Sequence, residues 1–195
     1  MASSALRQIK IEELALAQSK AKVELRIFVG GPYLDRTLPD VPPPDAMAGA
    51  TFLRYSICNY IENIGQTVTV GESAQLQAAY SGALDALYEA STFEMMHVKD
   101  HCDGVVIIPS SAGSFLELGY FSADDEVCAK MLVLRNADYL STPGYLHYGP
   151  SVQAKLSHAQ IEDVDYKDIP KVLNLVSSFM NGITVKKMRN RVRIK

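Results

Sequence analysis

No run of apolar residues in this 195-residue chain approaches the roughly 18 that a membrane-spanning helix requires. The opening residues, MASSALRQIKIEELALAQSK, mix charges throughout and hold no signal-peptide core, so the expectation is a cytoplasmic protein with no membrane contact. Cysteine is scarce. Cys58, Cys102 and Cys128 are odd in number, widely spaced and mostly flanked by apolar residues, which argues against a disulfide framework and a zinc site and leaves buried thiols as the reading. His97 and His101, four apart on one helical face, have no third ligand at a familiar spacing and read as solvated or capping histidines, so neither metal nor cofactor is assigned. Internal repeats and low-complexity tracts are also absent.

What is present suits one globular domain with a substantial core: 48% hydrophobic residues and a mean hydropathy of +0.01. Residues 5–20 carry Leu6, Ile9, Leu14 and Leu16 between charges, an accessory amphipathic helix within an N-terminal segment 1–22. The domain proper is expected over 23–184. Val23 to Val29 forms its first strand, and Asp35 to Asp45 an irregular proline-rich loop. Met47 to Ile64 is a helix stopped by Gly65, Thr67 to Val70 a short strand, and Ser73 to about Lys99 a long helical stretch. Strands follow at 104–108 and Lys130 to Arg135, then a loop over Asn136 to Pro150, a short strand at Gln160 to Val164 and a helix at Ile169 to Phe179. Strands alternating with helices predict a flavodoxin-like α/β fold, a doubly wound parallel sheet of about five strands.

Charge is segregated. The last ten residues, KKMRNRVRIK, hold six Lys/Arg and no acid, so a net charge of −3 leaves −9 on the rest. Residues 185–195 therefore form a basic C-terminal strand or tail. Its alternation suits an edge strand protected by charge, and its cations equally suit a phosphate-binding arm for nucleic acid or a partner.

The segment 103–122, DGVVIIPSSAGSFLELGYFS, carries the chemistry. Val105 to Ile108 read as a strand buried on both faces and Ser114 to Ser122 as the helix beyond it, which places the connecting loop where open parallel sheets bind ligands. Ser110, Ser111, Ala112, Gly113 and Ser114 are small enough for close backbone approach, and their N–H groups at the helix N-terminus suit an anion. Glu117, read as lying on the first turn, is favoured in its ionised form by the helix dipole and suits a nucleophile on an anomeric carbon. Complementing the dipole or capping its own helix is the plain alternative.

SAGSFLELGYFS after DGVVIIP resembles the G-[ST]-x-x-E-[LI]-G-[YF] signature of the nucleoside 2-deoxyribosyltransferase family, matching at Gly113, Ser114, Glu117, Leu118, Gly119 and Tyr120. Ile27 to Tyr33, IFVGGPY, is similar to that family's first strand and glycine turn, and the resemblance covers about 24–136. It implies Glu117 as nucleophile on C1′ of a nucleoside, nucleotide or NAD-like dinucleotide. Gly31, Pro32 and Tyr33, following Gly30, would then line the base pocket. The family's proton-relay Asp is missing: Met95 falls near its position, beside Glu94, so Glu94, Asp100 and Asp103 are the candidates for the second carboxyl. Asp103 at a strand start also reads as a structural cap. Such enzymes commonly work as homo-oligomers with a neighbour reaching the 5′ end; Tyr145, Tyr148 and Gln153 are polar enough for that contact, or for packing on their own domain. Members also act as toxic effectors of anti-phage systems such as retrons, restrained by a reverse transcriptase and its nucleic acid, which the basic tail at 186–195 would fit. The resulting expectation is an N-glycosidase or deoxyribosyltransferase-like enzyme, with a nucleoside salvage transferase or a non-catalytic nucleotide sensor on the same fold as the other readings.

Overall fold

The structure is a computed structural model that describes residues 23–34, 48–73, 76, 78, 90–141 and 144–193. The helix expected at 5–20, the proline-rich loop and most of the stretch 74–89 lie outside the described residues. Five strands, β1 (Arg26–Gly30), β2 (Thr67–Thr69), β3 (Gly104–Ile107), β4 (Met131–Asn136) and β5 (Gln160–Val164), form one sheet in the order β2-β1-β3-β4-β5. Every pairing is parallel. The expected fold class is the observed one: an all-parallel α/β sheet with helices on both faces. β3, GVVI, is buried at every position, as a central strand covered on both faces must be.

Seven helices are described: α1 (Ala48–Asn63), α2 (Ala90–His101), α3 (Ala112–Phe121), α4 (Asp125–Cys128), α5 (Tyr145–Tyr148), α6 (Pro150–Leu156) and α7 (Ile169–Arg193). Strand alternation divides the core. Ile27, Val29, Val106, Ile108, Leu132 and Leu134 meet α1 and α7, while Phe28, Val105, Ile107, Met131 and Val133 meet α2, α3, α4 and α6. All three cysteines are buried free thiols. α1 stops at Gly65 as expected: its φ of +78° lets the Gly65 N–H reach Glu62 O and the Gln66 N–H reach Ile61 O, the paired bonds of a Schellman ending.

Two sequence readings are corrected. The expected loop at Asn136–Pro150 contains a 3₁₀ turn (Ala137–Ser141) and α5, and Pro150 opens α6. The basic segment is not an edge strand, because α7 runs on from Ile169 to Arg193. Val172, Val176, Met180 and Thr184 are buried at intervals of four, and this stripe carries the helix through the basic residues. Lys187 donates to Asp103 Oδ1 at 2.7 Å and to the Glu24 carbonyl at 3.1 Å, tying α7 to the starting edge of β1 and β3.

The carboxyl end of α2 is held by a residue outside the helix. Lys130 Nζ donates to the carbonyls of Val98, Lys99 and Cys102 at 2.8, 3.0 and 2.8 Å, gathering acceptors at the end of the helix, of which Val98 also takes the Cys102 N–H. Lys130→Met keeps the stem and removes the donors, so stability should fall by about 1–3 kcal/mol in urea unfolding. An unchanged midpoint would mean that water replaces the ammonium at no cost.

Candidate functional site

The chain leaves β1 in opposite directions, through α1 to β2 and then back across to β3, so a crevice opens at the carboxyl edge of β1 and β3. Four segments converge there: the turn Gly30 to Tyr33 after β1, Gly71 and Glu72 after β2, the first half of α2, and α3. Glycines make the approach possible. A Cβ on Gly30 would stand 2.5 Å from Glu117 Oε2, and one on Gly71 would collide with Glu94 Oε1 and lie 3.8 Å from Glu117 Oε1. The Glu94 and Glu117 carboxyls thus flank one glycine from two different helices.

Glu117 is on the second turn of α3, not the first. Ser111 is the N-cap, and a reciprocal capping box with Ser114 starts the helix at Ala112. The dipole argument for an ionised Glu117 loses its force at that distance, and burial replaces it. Oε2 is closed off from solvent without a hydrogen-bond partner among the described residues. Burial first, and the nearby Glu94 charge second, push the Glu117 carboxyl up to about 8, while Arg54 and the Gly31 N–H oppose the shift and Glu72 adds to it. In the ligand-free protein at neutral pH, Glu117 therefore carries a proton.

A cavity of about 440 Å³ opens over this pair, lined by Ala90, Ser91, Glu94, Gly113, Leu116, Glu117, Tyr120 and Phe121. Thr92 Oγ1 and Tyr120 Oη, 3.2 Å apart, bridge α2 and α3 beside it. The turn ahead of α3 does not offer all its amides to an anion, as Ser110 N–H and Ser111 N–H both donate to Ser114 Oγ at 2.9 and 2.8 Å. The serines organise the helix start. Gly113 is the residue of this run that reaches the cavity.

The other predicted positions separate. Asp103 accepts from Arg26 N–H at 2.9 Å and pairs with Lys187, at the strand-start edge of the sheet. Asp100 is exposed in the last turn of α2, at the same far edge. Neither is brought to Glu117; Glu94 is. Pro32 lies in the β1 turn, its carbonyl bound by Arg54, and Tyr33 beside it is 70% exposed. Ser110 lines a cleft of about 190 Å³ with Asn136 and Tyr166, and Tyr148 lines one of about 400 Å³ with Tyr145 and Gln153, both distinct from the Glu117 cavity. The rings of His97 and His101 lie 5.5 Å apart, tilted at 52° to each other, and no group of three metal-ligating side chains occurs among the described residues.

Sequence reasoning missed Arg54 and Glu72. Arg54 is 1% exposed and pairs with Glu72 through two contacts of 2.5 and 2.8 Å. The signal was available: Arg54 lies on the same helical stripe as Ala50, Ile57, Cys58 and Ile61, and a charge on a buried stripe requires a partner.

A doubly wound parallel sheet with two carboxyls and a cavity at its switch point defines a class, the open α/β fold. Within it, the chain belongs to the STM3845 retron effector protein family, whose model matches residues 52–194. Over 48 residues it is 35% identical to an Escherichia coli protein named "Retron Ec86 putative ribosyltransferase/DNA-binding protein", a stretch covering 25% of this chain and 16% of that relative. Among solved structures it is similar to the Clostridium botulinum CMP N-glycosidase BcmB, at 15% identity and a TM-score of 0.44 over 79% of this chain and 98% of the other. Among the described residues, no helix is long and apolar enough to cross a membrane.

Proposed function

We propose that this chain is the N-glycosidase effector of a retron system, cleaving the bond between base and sugar in a nucleoside, nucleotide or NAD-like dinucleotide. Membership of the retron effector family supports the effector role. The observation that carries the chemistry is the Glu94–Glu117 pair, two carboxyls from separate helices facing one cavity, with Glu117 held protonated by burial and by its neighbour.

The pair enters the reaction with one proton. As substrate displaces water from the cavity, that proton moves to Glu94, which donates it to the departing base. The C1′–N bond breaks, the base leaves with the bonding electrons and the proton, and the freed Glu117 carboxylate bonds to C1′. Water, deprotonated by Glu94, then attacks C1′ and releases the sugar and Glu117, restoring the shared proton. Burial stabilises the neutral form of Glu117 at rest, and the oxocarbenium-like transition state supplies the positive charge that its anion needs.

The test is a panel of nucleosides, nucleotides and NAD incubated with the protein and analysed by chromatography for free base. Release by the wild type that vanishes in Glu117→Gln is the expected result. Saturable ligand binding with no base released from any compound would favour a nucleotide sensor instead. Base exchange in place of hydrolysis would make the protein a transferase.

The Escherichia coli relative is named in part for DNA binding, and we assign contact with a nucleic-acid partner to the basic segment 186–195. Neutralising Lys186, Arg189, Arg191 and Arg193 together should weaken nucleic-acid binding and flatten its dependence on salt concentration. Lys187 is excluded because it holds Asp103. A salt slope identical to the wild type's would exclude the segment from the contact.

A further inference from the structure

The turn that follows β1 is gripped from behind by one side chain. Arg54 donates from Nε and Nη2 to the Val29 carbonyl, at 3.1 and 2.7 Å, and from Nη1 to the Pro32 carbonyl at 2.7 Å. Glu72 holds the same guanidinium through both its oxygens and also accepts from the Leu34 N–H at 3.3 Å. The turn is thus fixed at residues 29, 32 and 34 by one ion pair, its arginine buried and its glutamate half-buried.

Between those points the peptide joining Gly30 to Gly31 is oriented by a further bond, since the Gly30 carbonyl accepts from Ile108 N–H at 3.0 Å. The opposite side of that peptide, the Gly31 N–H, faces the Glu117 carboxyl. A Cβ on Gly31 would lie 2.9 Å from Arg54 Cδ, and one on Gly30 2.5 Å from Glu117 Oε2. The backbone is therefore a layer one residue thick, with a guanidinium behind it and a carboxyl in front.

Burying the Arg54 guanidinium beside a half-buried Glu72 carries a desolvation cost that an apolar side chain of similar volume would not. What an apolar pair cannot do is hold two carbonyls in place or set a positive charge behind a carboxyl. We propose that Arg54, fixed by Glu72, is a positioning residue for Glu117, acting through the Gly30–Gly31 turn. Its effect on turnover rests on the activity proposed above; its effect on the Glu117 carboxyl does not. Among the described residues, the charged groups around that carboxyl are Arg54 from α1, Glu72 from the turn after β2 and Glu94 from α2.

The test uses the full chain carrying Arg54→Met with Glu72→Met, and separately Arg54→Lys, which keeps the charge without the two-carbonyl grip. The readouts are thermal unfolding, the Glu117 titration followed by carboxyl-carbon NMR with Glu117→Gln as assignment control, and the kcat, KM and pH profile of base release. The double variant should fold with an unfolding temperature near the wild type's. Its Glu117 midpoint should move up by about half a pH unit, because the opposing Arg54 charge outweighs the Glu72 charge removed with it and the Gly31 N–H loses its alignment. kcat should fall by about tenfold to a hundredfold with KM little changed, and its pH profile should shift in the direction of the NMR midpoint. If the double variant does not fold, Arg54→Lys, which keeps the charge and releases the two carbonyls, should still raise the Glu117 midpoint through the misaligned Gly31 N–H alone. An unchanged Glu117 midpoint in a folded variant would overturn the proposal and reduce Arg54 to a core ion pair. A wild type that releases no base would refute the activity, while the NMR midpoint would still decide the positioning role.

Discussion

Glu117→Gln should lose base release by at least about 10³-fold and, in the same protein, become more stable than the wild type at alkaline pH. The activity loss follows from removing the oxygen that bonds C1′, since an amide is neither an anion nor a nucleophile there. The stability gain follows from linkage. The Glu117 carboxyl titrates near 4.5 when unfolded and at about 8 when folded. Between those values the native state keeps a proton that the unfolded chain has released, so raising the pH favours unfolding. Wild-type stability should therefore decline from about pH 4.5, lose most of this contribution by about pH 8 and level off above. A displacement of this size corresponds to about 3–5 kcal/mol, and relaxation of the site at high pH makes the lower figure the better guide. Glutamine resembles the protonated carboxyl at every pH and shows no such decline. Urea unfolding of both proteins near pH 5 and near pH 9 measures the difference; curves that stay parallel between the two conditions would show that Glu117 is not held protonated.

The second large effect belongs to the acid. Glu94→Gln should slow base release by about 10²–10⁴-fold for a substrate whose base must be protonated to leave. It should spare a substrate whose base is already cationic and departs neutral, such as an N7-methylated purine nucleoside or a nicotinamide riboside. The same change removes the second-largest cause of the Glu117 shift, so its midpoint should drop below the wild-type value of about 8. For the wild type, the rate with ordinary bases should fall above about pH 8, where the pair loses the proton it shares. The ratio of losses for the two substrate kinds is decisive. Equal loss with both would assign Glu94 to binding rather than to proton transfer.

The sheet was legible because its strands follow simple rules. The GVVI run of β3 and the MLVL run that opens β4 are apolar on both faces, and Gly65 marks the end of α1 as a left-handed stop must. The Glu117 helix was legible for the same reason, with a capping serine and small residues ahead of an apolar stripe. Its first residue was not. Placing the start at Ser114 put Glu117 in the dipole's reach, whereas Ser111 caps the helix three residues earlier and leaves burial to govern the carboxyl. The basic end of α7 was misread because MRNRVRIK alternates like a strand. Lysine, arginine and methionine are also good helix formers, and the stripe from Val172 to Thr184 imposes the longer period. Glu94, Asp100 and Asp103 are indistinguishable as sequence candidates; the sheet separates them by putting two at the edge where the strands begin.

α7 follows all five strands in sequence, yet its stripe of Val172, Val176 and Met180 covers the face of the sheet that holds Ile27 and Val29 from the first strand. During synthesis that face is covered by α1 but not by α7 until this helix is made, although β1 to β5 and the residues of the Glu94–Glu117 pair have already been translated. A nascent or prematurely terminated chain would expose a broad apolar surface to chaperones and proteases. For a protein of the retron effector family, this arrangement delays completion of the fold until α7, which follows every strand of the sheet, has been made.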